Sequence, residues 1–431
     1  MAAGLLAGCA TGPLAPLRYE FVDDPAESTG PPRAGEHAVA AAAALDPATL
    51  EPDVRALASP AFQGRLRGSE GGARARAYLV GRLQSAGLAP LFDGRFEQPT
   101  SPDGGGPAPH GVNVGAIYRA ASADADWVVL VAHYDHRGVI HGEVHAGADD
   151  NASSVALLLA LGDTLGRLRP PVRRHVVLLF PDAEEPPDIR TERMGSSWFW
   201  RHPPLPLHRL YLALVLDLMG GRPSPELAAA GLGDALFVLG GEADPSAAML
   251  VRDLAPIAGV APVRLSLPMI EAYPFVPGSR FARSDYHGLR EHGRRPFLFL
   301  TTGRTETYHT PADTPDTLDY GRLVAGARWV TQLAVHAASA DGALGWRDMQ
   351  ADPRADARTL LKLYAAVEAS QRVAGLLRRA LAVDRAEVER LLARWNGGEP
   401  PTPATYRRLV LASTRVQAAL WHPSGWWFAL W

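Results

Sequence analysis

Four short apolar runs decide most of what this chain can become: Trp127 to Ala132, Val176 to Phe180, Leu212 to Leu216 and Pro296 to Leu300. None alternates polar with apolar residues, as a half-solvated strand would. Segments with helical spacing separate them, for example Val155 to Leu168, where Asn151 or Ser153 can cap the start. Strands that are apolar on both faces and joined through helices belong to a buried, largely parallel sheet. The expected fold is therefore α/β: a three-layer sandwich with a mostly parallel central sheet flanked by helices, plus a C-terminal helical extension.

The rest of the chain divides around this core. Residues 1–45, rich in Pro, Gly and Ala, read as a signal-like start and a tether. Residues 46–340 hold the apolar runs and form the main domain. From 341 to 431 the periodicity becomes helical, through Leu360, Leu363, Tyr364, Val367, Val373, Leu377 and Leu381, and ends near Trp426-Trp427-Phe428. This extension is expected to pack on the body.

With 47% hydrophobic residues in 431, a large core needs no disulfides, and the single cysteine permits none within the chain. It also excludes a cysteine-based metal site, so a bound metal must rest on His, Asp and Glu. The net charge of −3 gives no basic excess, and no nucleic-acid partner is expected. The oligomeric state is not legible. The lone cysteine sits in Leu6-Ala7-Gly8-Cys9, which resembles a bacterial lipobox. That resemblance implies lipidation at Cys9 and a bacterial envelope location, periplasmic and held by that anchor, with no other membrane contact expected.

In open α/β sheets, ligands bind beyond the carboxyl ends of the strands. Here those ends carry chemistry. His133-Tyr134-Asp135 follows the first run, and Asp182-Ala183-Glu184-Glu185 the second. Asp217 follows the third, and Tyr308-His309-Thr310-Pro311-Ala312-Asp313-Thr314 the fourth after a short turn. Gly147-Ala148-Asp149-Asp150-Asn151 lies between the first strand and its helix. Imidazoles and carboxylates gathered on one rim suit zinc and similar divalent ions. Such a donor set is the kind found in catalytic sites with an open position.

In order and spacing, these segments resemble the co-catalytic zinc aminopeptidase family, metallopeptidase family twenty-eight, from about residue 48 to 340. The resemblance implies two zinc ions: His133 and Asp217 on one, Glu185 and His309 on the other, Asp150 bridging both. It implies Glu184 as general base, Asp135 accepting a hydrogen bond from His133, and Tyr308 helping to stabilise the tetrahedral intermediate. The implied activity is exopeptidase hydrolysis of N-terminal peptide bonds, with a peptide as substrate. Asp149 is read as a neighbour held by backbone contacts.

Two departures matter. Pro186 to Met194 separate the Glu pair from Gly195-Ser196, and Leu216-Asp217-Leu218-Met219-Gly220 closes the third run. Both resemble the glutaminyl cyclases, single-zinc relatives that form N-terminal pyroglutamate, which leaves a one-metal site of Asp150, Glu185 and His309 as the alternative. Arg283-Ser284-Asp285-Tyr286-His287 resembles a Ser-Asp-His segment of both groups, whose Asp joins the catalytic hydrogen-bond chain in the cyclases. A non-catalytic peptide-binding relative is the third reading. His136 is assigned to the surface, and His141-Gly142-Glu143-Val144-His145 to a loop without metal. No nucleophile elbow or phosphate-cradling loop is present.

Overall fold

The computed structural model describes residues 19–22, 33–101, 109–272, 281–370, 373 and 375–421. Cys9 and the Trp426-Trp427-Phe428 segment lie outside them. Nine strands build the central sheet: β1 (Ala89–Pro90), β2 (Glu97–Thr100), β3 (Gly111–Tyr118), β4 (Trp127–Val131), β5 (His175–Phe180), β6 (Leu210–Leu216), β7 (Ala235–Leu239), β8 (Ala261–Arg264) and β9 (Phe297–Thr301). Their order is β8-β7-β9-β6-β4-β5-β3-β1, with β2 paired to β3. The four apolar runs are β4, β5, β6 and β9. They lie side by side and parallel. Antiparallel pairing begins on either flank, where β7 meets β9 and β3 meets β5.

The helices used below are α1 (Glu36–Ala44), α2 (Leu50–Leu57), α3 (Glu70–Ser85), α4 (Ser154–Leu168), α5 (Gly195–Arg201), α6 (Tyr320–Ser339), α7 (Pro353–Ala369), α8 (Gly375–Asn396) and α9 (Pro403–Trp421). Side chains alternate across the sheet, and two cores follow from that alternation. Val128, Leu130, Val176, Leu178, Leu212 and Leu214 face α1 to α4 and α6. Val129, Val131, Val177, Leu179, Ala213 and Val215 face α5 and the C-terminal helices. Because every residue of these inner strands is wrapped on both faces, each buried Val or Leu contributes on the order of 1.5–3 kcal/mol.

The extension therefore forms part of the second covering layer. Leu360, Tyr364, Trp395 and Tyr406 share one core with Phe297 and Phe299 of β9. The Ser266 amide and the Tyr406 hydroxyl both donate to Asp356 at the start of α7, at 2.7 and 2.8 Å.

The stretch read as a tether contains ordered structure. In α1, Ala38, Ala41 and Ala42 are buried, because a run of alanines lets two helices approach closely. Glu20–Phe21 pairs in parallel with Gln350–Ala351, and Tyr19 packs edge-on against Tyr406. Among the described residues, no helix is long and apolar enough to cross a membrane.

Candidate metal centre

The parallel strands deliver their next residues to one rim, as the sheet geometry requires. His133 follows β4, Glu184 and Glu185 follow β5, Asp217 follows β6, and His309 arrives on the loop after β9. Asp150 comes from the loop before α4. All six are buried except His309, whose side chain is 23% exposed. Three of the turns run through left-handed backbone at residues with side chains: Ala183 (φ 61°), Leu218 (φ 59°) and His309 (φ 59°). Such conformations are sparsely populated outside glycine and cluster where a chain must aim a side chain.

Two groups of donors meet here. Atoms of His133, Asp150 and Asp217 lie within 4.8 Å of one another, as do those of His136, Asp150 and Glu185. Asp150 belongs to both. His133 Nε2 is 3.5 Å from Asp150 Oδ1, 3.7 Å from Asp217 Oδ1 and 3.8 Å from Glu184 Oε2. His309 Nε2 is 3.1 Å from both Asp150 Oδ2 and Glu185 Oε2. Among the described residues, His133 Nε2, Asp217 Oδ1, Glu184 Oε1 and both Glu185 oxygens are buried without an aligned hydrogen-bond partner. Buried polar atoms are normally paired. Orphans of this kind, on carboxylates facing imidazole nitrogens, fit a site for a divalent cation.

The charges point the same way. Burial opposes a charged His133, but Glu184, Asp135 and Asp217 outweigh it and hold the imidazole well above its ordinary value. Burial likewise opposes charge on His309, yet Asp150 and Glu185 raise it to about 9. The cluster attracts positive charge, and a dication satisfies that attraction better than protons do. The Glu pair is split. Burial pushes Glu184 well above the carboxylate range, helped by Asp285, Asp217 and Glu185. Burial pushes Glu185 the same way, but His136 and His309 overcome it and hold Glu185 well below that range. Adjacent carboxyls driven apart suit different tasks, one as an ionised ligand and one as a proton carrier.

Around the donors lies a frame of hydrogen bonds. The Arg65 guanidinium is fully buried and donates to the carbonyls of Leu57, Tyr134, Ala146 and Gly147 at 2.7–2.8 Å. One cation thus pins the loop after β4 to the loop before α4. Burial lowers its pKa to about 10 against the pull of Asp313, Asp150, Asp135 and Glu185. The Asp313 carboxylate accepts the backbone amides of Asp149 and Asp150 at 2.9 and 3.1 Å. Asn151 donates to the Leu216 carbonyl at 3.0 Å and accepts from the Leu218 amide at 3.3 Å, so the Asp150 loop and the Asp217 turn move as one. Asp149 accepts the Gly220 amide at 2.8 Å, a backbone contact as expected.

Some expectations change. Asp135 does not hold the His133 ring through its carboxylate, which is 3.6 Å away and too far for a hydrogen bond. His133 Nδ1 instead lies 3.2 Å from the Asp135 carbonyl oxygen. A carbonyl only accepts, so this contact needs the proton on Nδ1 and turns Nε2 toward the carboxylates. The Asp135 carboxylate accepts the amides of Glu184 and Glu185 at 3.1 and 3.2 Å, and so positions the Glu pair. Tyr308 stacks on the His309 ring at 3.9 Å, with the Arg304 guanidinium 4.3 Å from its own centroid. His136 is not a surface residue. Its side chain is fully buried and its Nδ1 reaches 2.6 Å from Glu185 Oε1. Only its place three residues after His133, on the same strand-end loop, could have signalled this. Asp313, a member of the Tyr308 to Thr314 segment, and Arg65 frame the site without reaching the donors themselves. His141 and Glu143 stay clear of the centre, in the turn and strands of a small hairpin.

The insertion after Glu185 is tied down by Asp188, which is 1% exposed. Asp188 pairs with Arg67, with Arg193 at 3.1 Å and with His110 at 3.2 Å.

Comparison with known proteins bears on the family and the fold. Residues 113–334 match Peptidase family M28. Uncharacterized protein YfbL of Escherichia coli strain K12 is 30% identical over 215 residues, which is 47% of this chain and 64% of that relative's length. LapB from Legionella pneumophila has a similar fold at TM-score 0.55 and 15% identity, over 75% of this chain and 78% of that one. The glutaminyl cyclase of Porphyromonas gingivalis is similar at TM-score 0.51 and 18% identity, over 67% of this chain and 97% of that one. At these identities the two likenesses are of fold.

Proposed function

This chain belongs to peptidase family M28, and from that premise we propose that it is a zinc-dependent exopeptidase cleaving N-terminal peptide bonds. The observation that carries the reading is that Asp150 is shared between a group with His133 and Asp217 and a second set of donors, in which His309 lies 3.1 Å from both Asp150 and Glu185, with Glu184 beside them. His133, Asp150 and Asp217 would hold one zinc, and Asp150, Glu185 and His309 the other. Zinc supplies acidification of water and polarisation of the scissile carbonyl.

The remaining chemistry falls to the chain. Glu184 accepts the proton of the attacking water and passes it to the departing amine, a transfer typically worth about 10²- to 10⁴-fold in rate. Asp135 keeps Glu184 aimed by holding its amide. Tyr308, at the rim beside His309, offers a phenol to the oxygen on which charge develops. Lipidation at Cys9, attaching the enzyme to the bacterial envelope, is the corresponding proposal for its location. Loss of labelled-palmitate incorporation in C9S tests it.

Zinc content and hydrolysis of an aminoacyl-anilide, measured together on Glu184→Gln, test the mechanism. Zinc retained with turnover reduced at least about 10²-fold is expected. Unchanged hydrolysis contradicts the role of Glu184.

One observation favours a second reading. Among the described residues, neither oxygen of buried Asp285 has an aligned hydrogen bond, and its charge raises Glu184. A second buried carboxyl acting on the proton carrier suits a single-zinc glutaminyl cyclase. Pyroglutamate formation from a glutaminyl peptide, with one zinc bound, distinguishes it.

A further inference from the structure

His136 belongs to the second donor group, beside Asp150 and Glu185. Its side chain is fully buried, and among the described residues neither ring nitrogen has an aligned hydrogen bond. Nδ1 sits 2.6 Å from Glu185 Oε1 and 3.8 Å from Asp150 Oδ2, and its ring meets that of His309 edge-on, with centroids 5.8 Å apart. The close approach to Glu185 is an ion pair, and it brings both side chains to the space beside Asp150. His136, Asp150 and Glu185 thus present donor atoms that all lie within 4.8 Å of one another.

The surroundings are shaped to admit this ring. Gly147 has φ +59°, and a Cβ there would come within 2.5 Å of His136 ring carbons and 2.3 Å of the Asp150 carbonyl oxygen. Arg65 fixes the same corner by binding the Gly147 carbonyl, and its own carbonyl receives the His136 amide at 3.4 Å. A side chain at 147 would expel the imidazole from the cleft.

We infer that His136 is a direct metal ligand, so that the second position has four protein donors: His136, His309, Asp150 and Glu185. The first position, with His133, Asp150 and Asp217, then has three. Four protein ligands close a zinc site, whereas three leave a place for water or substrate. The two positions would therefore divide the work. The closed one anchors Asp150 and Glu185, and the open one lies beside Glu184, whose Oε2 is 3.8 Å from His133.

The inference rests on reading this cleft as a metal centre, and the test separates the two. The full chain is loaded with cadmium-113, and the histidine rings scalar-coupled to cadmium are counted by NMR in the unmodified protein. Three coupled rings are expected, from His133, His136 and His309. Two coupled rings overturn the role of His136 and leave the metal centre standing, while no bound cadmium overturns the metal centre itself. Zinc affinity of His136→Gln, with its fold checked by circular dichroism, provides the second arm. Loss of a direct ligand should weaken one of the two ions by more than about 100-fold, beyond the roughly 10- to 100-fold that an outer partner costs, and leave the other in place. Both ions held within about threefold of wild type would contradict the inference.

Discussion

Two regions of this protein bury carboxylates in the same way and leave them in opposite states. Against the C-terminal layer, Asp356 is fully buried, and each of its oxygens accepts a bond, one from the Ser266 amide and one from the Tyr406 hydroxyl. In the cleft, Glu184, Glu185 and Asp217 are also buried, yet their oxygens face imidazoles and one another with partners missing. The first arrangement is complete within the chain and joins a helix layer to a sheet. The second is left unmatched among the described residues, as a site for a cation would be. Burial of charge alone therefore does not mark a site. Buried charge left unmatched by the fold does.

The sharpest way to break this comparison is to remove the frame. Arg65→Met would leave four carbonyls without their donor and should destabilise by about 4 kcal/mol or more, read from urea unfolding. A loss below about 1 kcal/mol would show that the loops hold their places without it. The satisfied region has a pH signature of its own. Burial raises Asp356 from 3.8 to about 7. A raised carboxyl contributes its stability in full below the unfolded value and loses it as pH rises through the folded one. Between about pH 4 and pH 8 the wild type should lose roughly 2–4 kcal/mol relative to Asp356→Asn. Parallel stability curves for the two proteins would contradict this.

Asp313→Asn bears on the cleft from one shell out. It removes one of two acceptors for the Asp149 and Asp150 amides, and zinc affinity should fall by roughly 10- to 100-fold, measured by chelator competition. Tyr406→Phe should have the smallest effect, about 1 kcal/mol, with peptide hydrolysis unchanged. A large activity loss there would mean that the two regions are coupled.

Much of this was legible in the sequence. The runs of β4, β5, β6 and β9 are apolar on both faces because helices cover both, and composition records that directly. The strand-end residues follow, since a parallel sheet sends every such residue to one rim. The order of the strands was not legible, nor were the antiparallel flanks, because pairing partners far apart in the chain leave no local trace. Asp135 was read as a partner for His133, but the turn at Ala183 brings two amides onto its carboxylate instead. His136 was taken for a surface residue because a polar residue in a loop is usually solvated. Its burial depends on the space above Gly147, which only the folded chain reveals. Ala38, Ala41 and Ala42 looked like tether because alanine runs are compositionally bland, and their fit against α6 is a tertiary property.

The central claim is that the unmatched donors around Asp150 bind zinc and thereby create a peptidase. The most direct test is to titrate zinc into the metal-free full chain while following both bound metal and release of the amino acid from an aminoacyl-anilide. Two zinc ions bound per chain, with hydrolysis rising as they bind, is the predicted result. Absence of stoichiometric zinc binding would contradict the claim, as would one zinc with pyroglutamate formed from a glutaminyl peptide and no anilide hydrolysis.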